Sequence, residues 1–154
     1  MSRAFVRESD GDPGALPERA LSTHPNFVTP RGLTAIEARV RELEGERQAA
    51  REGGDTAARA RVERDLRYWS ARRASARLVT PAAVAERVRF GMRVTLQLGG
   101  GSTQTFRLVG EDEADATHGL LSWVAPLVQS LLGKQVGDSV PFQGGEALIV
   151  SIEP

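Results

Sequence analysis

Residues 29–80 read TPRGLTAIEARVRELEGERQAAREGGDTAARARVERDLRYWSARRASARLVT. In the first half the apolar or small positions are Leu33, Ile36, Val40, Leu43 and Ala50, with Arg47 filling the gap. They recur in alternating steps of three and four, the spacing of a coiled-coil seam. In the second half Arg59, Val62, Leu66, Trp69, Arg73 and Ala76 keep the same spacing. Pairing the two seams antiparallel, Val40 with Trp69 and Leu43 with Leu66, puts the fold-back point between Gly54 and Asp55. The Gly53-Gly54 pair of this stretch lies there, followed by Asp55, a good helix N-cap. Seam and turn therefore agree on one helical hairpin. Its first helix is expected over about Pro30 to Glu52, with Thr29 as N-cap and Pro30 at the first helical position. The second is expected over about Thr56 to Leu78.

The outward face of the second helix carries Arg59, Arg61, Arg64, Arg67, Arg72, Arg73 and Arg77 against Glu63 and Asp65. The first helix mixes Glu37, Glu42, Glu44 and Glu46 with Arg31, Arg39, Arg41, Arg47 and Arg51. The plain reading is a solvated coiled-coil exterior with pairs between the arms. The functional reading is a basic arm that meets an acidic protein surface or a phosphate backbone.

Around the hairpin, residues 1–28 read as an extended tail. Ser9-Asp10-Gly11-Asp12-Pro13-Gly14 is rich in turn formers, and Pro13, Pro17 and Pro25 discourage helix. Phe5, Val6, Leu16, Phe27 and Val28 give the tail something to dock with. After a linker at Val79-Thr80-Pro81-Ala82-Ala83 the hydrophobic period changes to two. Met92, Val94, Leu96 and Leu98 alternate with Arg93, Thr95 and Gln97, a half-buried strand. Thr103 to Val109 returns as a second strand after Gly99-Gly100-Gly101-Ser102. Leu120 to Val124 is a third strand. Pro126 to Leu132 is a short helix with proline at its start and Gly133 at its stop. Ser139 to Phe142 and Ala147 to Ile152 form a closing hairpin. The fold class expected is α+β: an antiparallel helical hairpin over 29–80, then an antiparallel sheet domain with one short helix over 81–154.

The chain has 154 residues, with Lys plus Arg and Asp plus Glu at 20 each. Near-zero net charge demands no nucleic-acid or membrane partner. No cysteine is present, which excludes disulfides and Cys-based metal sites. No apolar run approaches a membrane span and the N-terminus lacks an apolar signal region, so a cytoplasmic protein is expected. His24 and His118 each stand without a paired ligand, and Gly99-Gly100-Gly101 precedes a strand rather than a phosphate-binding helix. The run Glu111-Asp112-Glu113 with Asp115 reads as a solvated acidic loop ahead of a metal site, because its residues are consecutive rather than convergent. No catalytic set emerges, and neither an enzyme, a cofactor nor a resident metal is expected. Asp55 reads first as a helix cap, second as a carboxylate exposed at the end of a rod.

The strings in the C-terminal half carry a resemblance. They are Phe106-Arg107-Leu108-Val109-Gly110-Glu111-Asp112-Glu113-Ala114-Asp115, then Ser122 and Pro126, then Leu131-Leu132-Gly133-Lys134 and Val136-Gly137-Asp138. Behind a helical hairpin, this order resembles the Gre family of bacterial transcript-cleavage factors, GreA and GreB. The tail from Ser2 to Arg19 looks like a proteobacterial subgroup of that family. The resemblance implies an FKBP-like C-terminal domain that lacks isomerase activity. The scarcity of aromatics, 5 Phe, 2 Trp and 1 Tyr, also argues against a prolyl isomerase.

The resemblance further implies docking on bacterial RNA polymerase at the rim of the secondary channel, through an apolar patch carried over to Ala125, Pro126 and Leu127. The hairpin then enters the channel. Nucleic acid would be met only through the elongation complex, no membrane is involved, and a monomer is expected. In the family two acidic residues at the hairpin tip help hold a second Mg²⁺, as two-metal phosphodiester hydrolysis requires. The family tip reads Gly-Asp-x-x-Glu-Asn, whereas here it is Gly54-Asp55-Thr56-Ala57-Ala58-Arg59. Asp55 matches the first acid, Ala58 replaces the second and Arg59 the asparagine. Val124 stands where the family usually has a polar or acidic residue. The arms are also several turns shorter than in GreA or GreB, which resembles the non-cleaving relative Rnk. Two functions follow as expectations. One is a polymerase-binding regulator with cleavage stimulation lost or weak. The other is an active cleavage factor that uses Asp55, with Glu52 or Glu63 standing in for the missing acid.

Overall fold

The computed structural model describes residues 16–154. Phe5, Val6 and the Ser9 to Gly14 turn run lie outside the described residues. Helix α1 spans Pro30–Glu52 and α2 spans Thr56–Ser75. Thr29 caps α1 by accepting the Gly32 N–H at 2.9 Å, with Pro30 at the first position. Gly54 takes φ +64°, a left-handed conformation that a side chain disfavours, and this lets the chain reverse within the turn. Val40, Leu43, Val62 and Leu66 are buried together with Trp69 packed against them, as the seam spacing predicts. At about 1.5 Å per residue α1 is about 34 Å long.

Near its base the second arm departs from the expected seam. Arg73 is exposed and Arg72, expected on the outward face, is 3% exposed. Helix α2 also stops at Ser75 rather than continuing to Leu78. The reason is a competing use of backbone. Strand β1, Phe27–Val28, pairs in parallel with β2, Arg77–Leu78. The Arg77 N–H donates to the Asn26 carbonyl at 2.8 Å and the Val79 N–H to the Val28 carbonyl at 2.9 Å. The end of the tail is thus tied into the structure, with Val28 3% exposed.

The C-terminal part is a five-stranded sheet of β3 (Arg93–Gln97), β4 (Thr103–Val109), β5 (Leu120–Ser122), β6 (Ser139–Phe142) and β7 (Gly145–Glu153). Their order is β5-β4-β3-β7-β6. Val94 and Leu96 face inward while Arg93 and Gln97 face out, as the alternation predicts. Short helix α3, Pro126–Leu131, covers the inner face with Val128 and Leu131. Leu96, Leu108, Leu131 and Ile149 are fully buried, and each such side chain contributes about 1.5–3 kcal/mol. Val88, from the stretch before β3, joins the same core.

The α+β class stands as expected, with one pairing of a different sense. Strand β5 runs parallel to β4, Arg107 opposite Leu120 and Val109 opposite Ser122. Residues 110–119 leave the end of β4, reach out to the hairpin and double back through a 3-10 turn at Ala116–His118. The chain then re-enters the sheet only a few residues behind where it left, in the same direction. Two-stranded hairpin reasoning misses such a return because the loop's course is set by a partner outside the sheet. Among the described residues no helix is long and apolar enough to cross a membrane.

Candidate docking surface and hairpin tip

The residues expected to dock lie at the start of α3. Ala125 occupies the N-cap with extended backbone and no side-chain cap bond. Ala125 and Leu127 are half-buried and pack against the sheet core. Pro126 stands exposed between them. The structure therefore turns one of the three outward and uses the other two to hold it. Beside them, Trp123 is half-buried and meets Phe27 with ring centroids 5.1 Å apart and His24 at 5.9 Å. Its indole N–H has no acceptor among the described residues. The tail thus packs on Trp123 of the sheet domain, an arrangement that reading the tail as a separate segment does not show.

At the tip, Asp55 is exposed and its Oδ1 accepts the Ala58 N–H at 3.0 Å. This is a cap in its ordinary geometry. Ala58 follows on the first turn and presents no polar atom beyond its backbone. The two carboxylates expected to deputise are engaged elsewhere. Glu52 accepts from Gln48 Nε2 at 2.8 Å, back along α1. Glu63 accepts from Arg59 Nε at 2.9 Å and lies 3.8 Å from Arg51 Nη2. The Arg59 hydrogen bond holds the Glu63 carboxyl below its usual range. Among the described residues no group of three or more His, Asp or Glu side chains is placed to hold a metal ion.

The acidic loop is a clamp rather than a solvated loop. Asp112, with its side chain 10% exposed, accepts from Arg72 Nε at 2.5 Å and from the Tyr68 hydroxyl at 2.5 Å. Arg72 Nη2 donates to Asn26 Oδ1 at 2.8 Å, and Asn26 Nδ2 donates to the Arg72 carbonyl at 2.7 Å. Glu111 accepts from Ser22, and Glu113 from the Thr29 hydroxyl at 2.5 Å. Gly110 is required at the loop's start, since a Cβ there would lie 2.4 Å from the Phe27 carbonyl oxygen. Asp115 caps the 3-10 turn and holds His118. Sequence reasoning missed Arg72, Asp112 and Asn26. The available signal was that Tyr68 and Arg72, four apart, share one helix face beside the seam.

A helical hairpin is thus joined by a polar clamp to a small sheet domain. The comparisons with known proteins give its family. The family model described as "Transcription elongation factor, GreA/GreB, C-term" matches residues 83–154. GreA of Ruegeria pomeroyi is 32% identical over 149 residues, covering 82% of this chain and 96% of that protein. GreA of Alkalilimnicola ehrlichii is 39% identical over 90 residues, covering 55% of this chain and 57% of that protein. Among solved structures, GreA factor homolog 1 (Gfh1) of Thermus thermophilus aligns with TM-score 0.40 at 20% identity, over 85% of this chain and 100% of that one. The chain belongs to the GreA/GreB family of transcription elongation factors. In the Ruegeria match, 82% of 154 residues is about 126, set against 149 positions, so about 23 positions have no residue here.

Proposed function

We propose that this protein is a binding regulator of bacterial RNA polymerase. Its sheet domain docks at the rim of the secondary channel around Pro126, its hairpin enters the channel, and its stimulation of transcript cleavage is lost or severely weakened. The observation that carries this reading is the tip. The family pattern asks for two acids there, and this tip offers Asp55 alone, already engaged as a cap. A weak second metal site needs converging carboxylates to retain its ion. Glu52 and Glu63 are held by Gln48 and Arg59, and Arg59 and Arg61 add positive charge where a cation would sit.

Reach supports the same reading. We assign the alignment shortfall to the hairpin, whose arms read as shorter than those of GreA and GreB. Shared between two arms, it amounts to about three turns each, or about 17 Å of rod. An acid withdrawn that far cannot complete a metal site that a longer hairpin reaches.

The experiment is RNA cleavage in purified, backtracked elongation complexes. The protein is added alone and in competition with an authentic GreA or GreB. No cleavage above the polymerase's intrinsic rate, together with inhibition of the competitor, is the expected result. Cleavage above that rate would mean that Asp55, whose Oδ2 accepts no hydrogen bond among the described residues, still serves a metal, and the active-factor reading would replace this one.

A further inference from the structure

We propose that residues 16–28 are a strap that sets the direction of the hairpin, and that Asn26, Arg72 and Asp112 form the node through which it does so. This deepens the regulator reading and rests on it for its consequence at the polymerase, though not for its structural content. The argument starts from what joins the two halves. One cluster of buried apolar residues lies inside the sheet domain and another along the hairpin seam, while Val28, Ile36, Met92 and Val109 are buried outside both. The two clusters share no residue, so neither core by itself fixes the angle between the halves.

The directional contacts at the junction are polar. Arg72 from α2, Asp112 from the loop and Asn26 from the strap meet in a site where the arginine side chain is 4% exposed. A charge so buried is tolerated only with its partners in place. Each partner here comes from a different segment, so the node closes only when strap, hairpin and loop are aligned. The strap is anchored on both sides of the junction. Glu18 accepts from Arg67 at 3.0 Å, and the Arg19 guanidinium lies 3.9 Å from the Tyr68 ring centroid, both on α2. Phe27 packs on Trp123 and Phe90 of the sheet domain. Thr29 and Glu113 pin the start of α1 to the same loop.

Leverage turns this local node into a functional one. With an arm of about 34 Å, a 10° rotation at the base carries the tip about 6 Å. Directional hydrogen bonds at the base therefore decide whether the rod points into a narrow channel. Arg72 and Asn26 are positioning residues, remote from the tip and from Pro126.

The absence of native cysteine permits a direct test. Spin labels are placed at Arg61→Cys near the tip and Glu146→Cys on the sheet, both exposed positions. The label-to-label distance distribution is measured in the full chain. A narrow distribution is expected for the parent, with at least a doubling of its width in Asn26→Ala and in Asp112→Asn at unchanged helical circular dichroism. The same variants should bind polymerase, and compete with GreA for it, at least tenfold less well than the parent. Unchanged widths in both variants would overturn the proposal and place control of the angle elsewhere. If Asp112→Asn unfolds, Asn26→Ala, which removes no charge, decides the matter alone. If the parent fails to bind polymerase, the function proposed above falls while the distance result still tests the node.

Discussion

At the base of the hairpin Arg72 is 3% exposed and reaches Asp112 at 2.5 Å. At the tip Arg59 reaches Glu63 at 2.9 Å with about half of its side chain, 49%, in water. The chemical pair is the same and the physical consequence is opposite. Water screens the tip pair, which loses little when broken. The base pair has given up its hydration and depends on geometry. Charge at the base fixes orientation, while charge at the tip stays available to whatever the tip meets. The difference predicts unequal responses to the same substitution. Arg72→Met leaves Asp112 buried without a counter-charge and should cost about 3–5 kcal/mol in urea unfolding. Arg59→Met should leave the urea midpoint indistinguishable from the parent. Adding Asp112→Asn to Arg72→Met should recover part of the loss, since no buried charge then remains. Equal midpoints for the two single variants would erase the contrast.

The next effect separates the docking platform from the rod. Pro126→Asp places a carboxylate in the middle of the proposed apolar contact, where binding would bury it unpaired. Affinity for polymerase should fall by roughly a hundredfold or more, with the fold intact because Pro126 is already exposed. Co-purification of this variant with polymerase at the parent's level would refute the docking assignment.

A smaller effect reads the base node from within. Tyr68 is the single tyrosine, so its titration is seen without overlap. Burial first, then its hydrogen bond to Asp112, raises its pKa to about 12. The folded value lies above the unfolded value of about 10. Its contribution to stability is therefore fully present below pH 10 and is lost as pH rises towards 12. Tyrosinate absorbance should show this late midpoint. Asp112→Asn should bring it part of the way back towards 10, because burial remains. An unmoved midpoint would mean that the Tyr68–Asp112 bond does not form in solution.

The two ends of the hairpin also differ in how legible they are. Seam, turn and cap are local patterns, so Val40, Leu43, Val62, Leu66, Gly54 and Asp55 announce themselves within a few residues of one another. The sheet's alternation over residues 92–98 and its core face are local for the same reason. The node is not. Asn26 lies 46 positions from Arg72, and Arg72 lies 40 from Asp112. A pair so separated leaves no period behind, and a run of consecutive acids looks solvated until its partners are known. Strands β1 and β2 have two residues each, too few for alternation, which is why α2 reads too long at its end. Val88 escaped because a lone apolar residue in a linker has no pattern to belong to.

The smallest effect expected is at Asp55, and it is also the one that divides the two functional readings most cleanly. Asp55→Ala removes both the cap and the charge and should cost about 1 kcal/mol of stability. Asp55→Asn removes the charge but keeps an oxygen for the Ala58 N–H, since asparagine caps about as well as aspartate. Stability should then match the parent. For a channel-occupying regulator both variants bind polymerase and compete with GreA as the parent does, because a cap is all that Asp55 supplies. For a cleavage factor the pattern inverts. Asp55→Asn, indistinguishable in unfolding, would abolish whatever cleavage the parent stimulates, because an amide cannot replace a carboxylate on Mg²⁺. A variant silent in stability and decisive in cleavage would show that the tip's charge serves chemistry after all. The contrast between a committed base and an uncommitted tip would then acquire its reason: the base is fixed so that one carboxylate can be delivered.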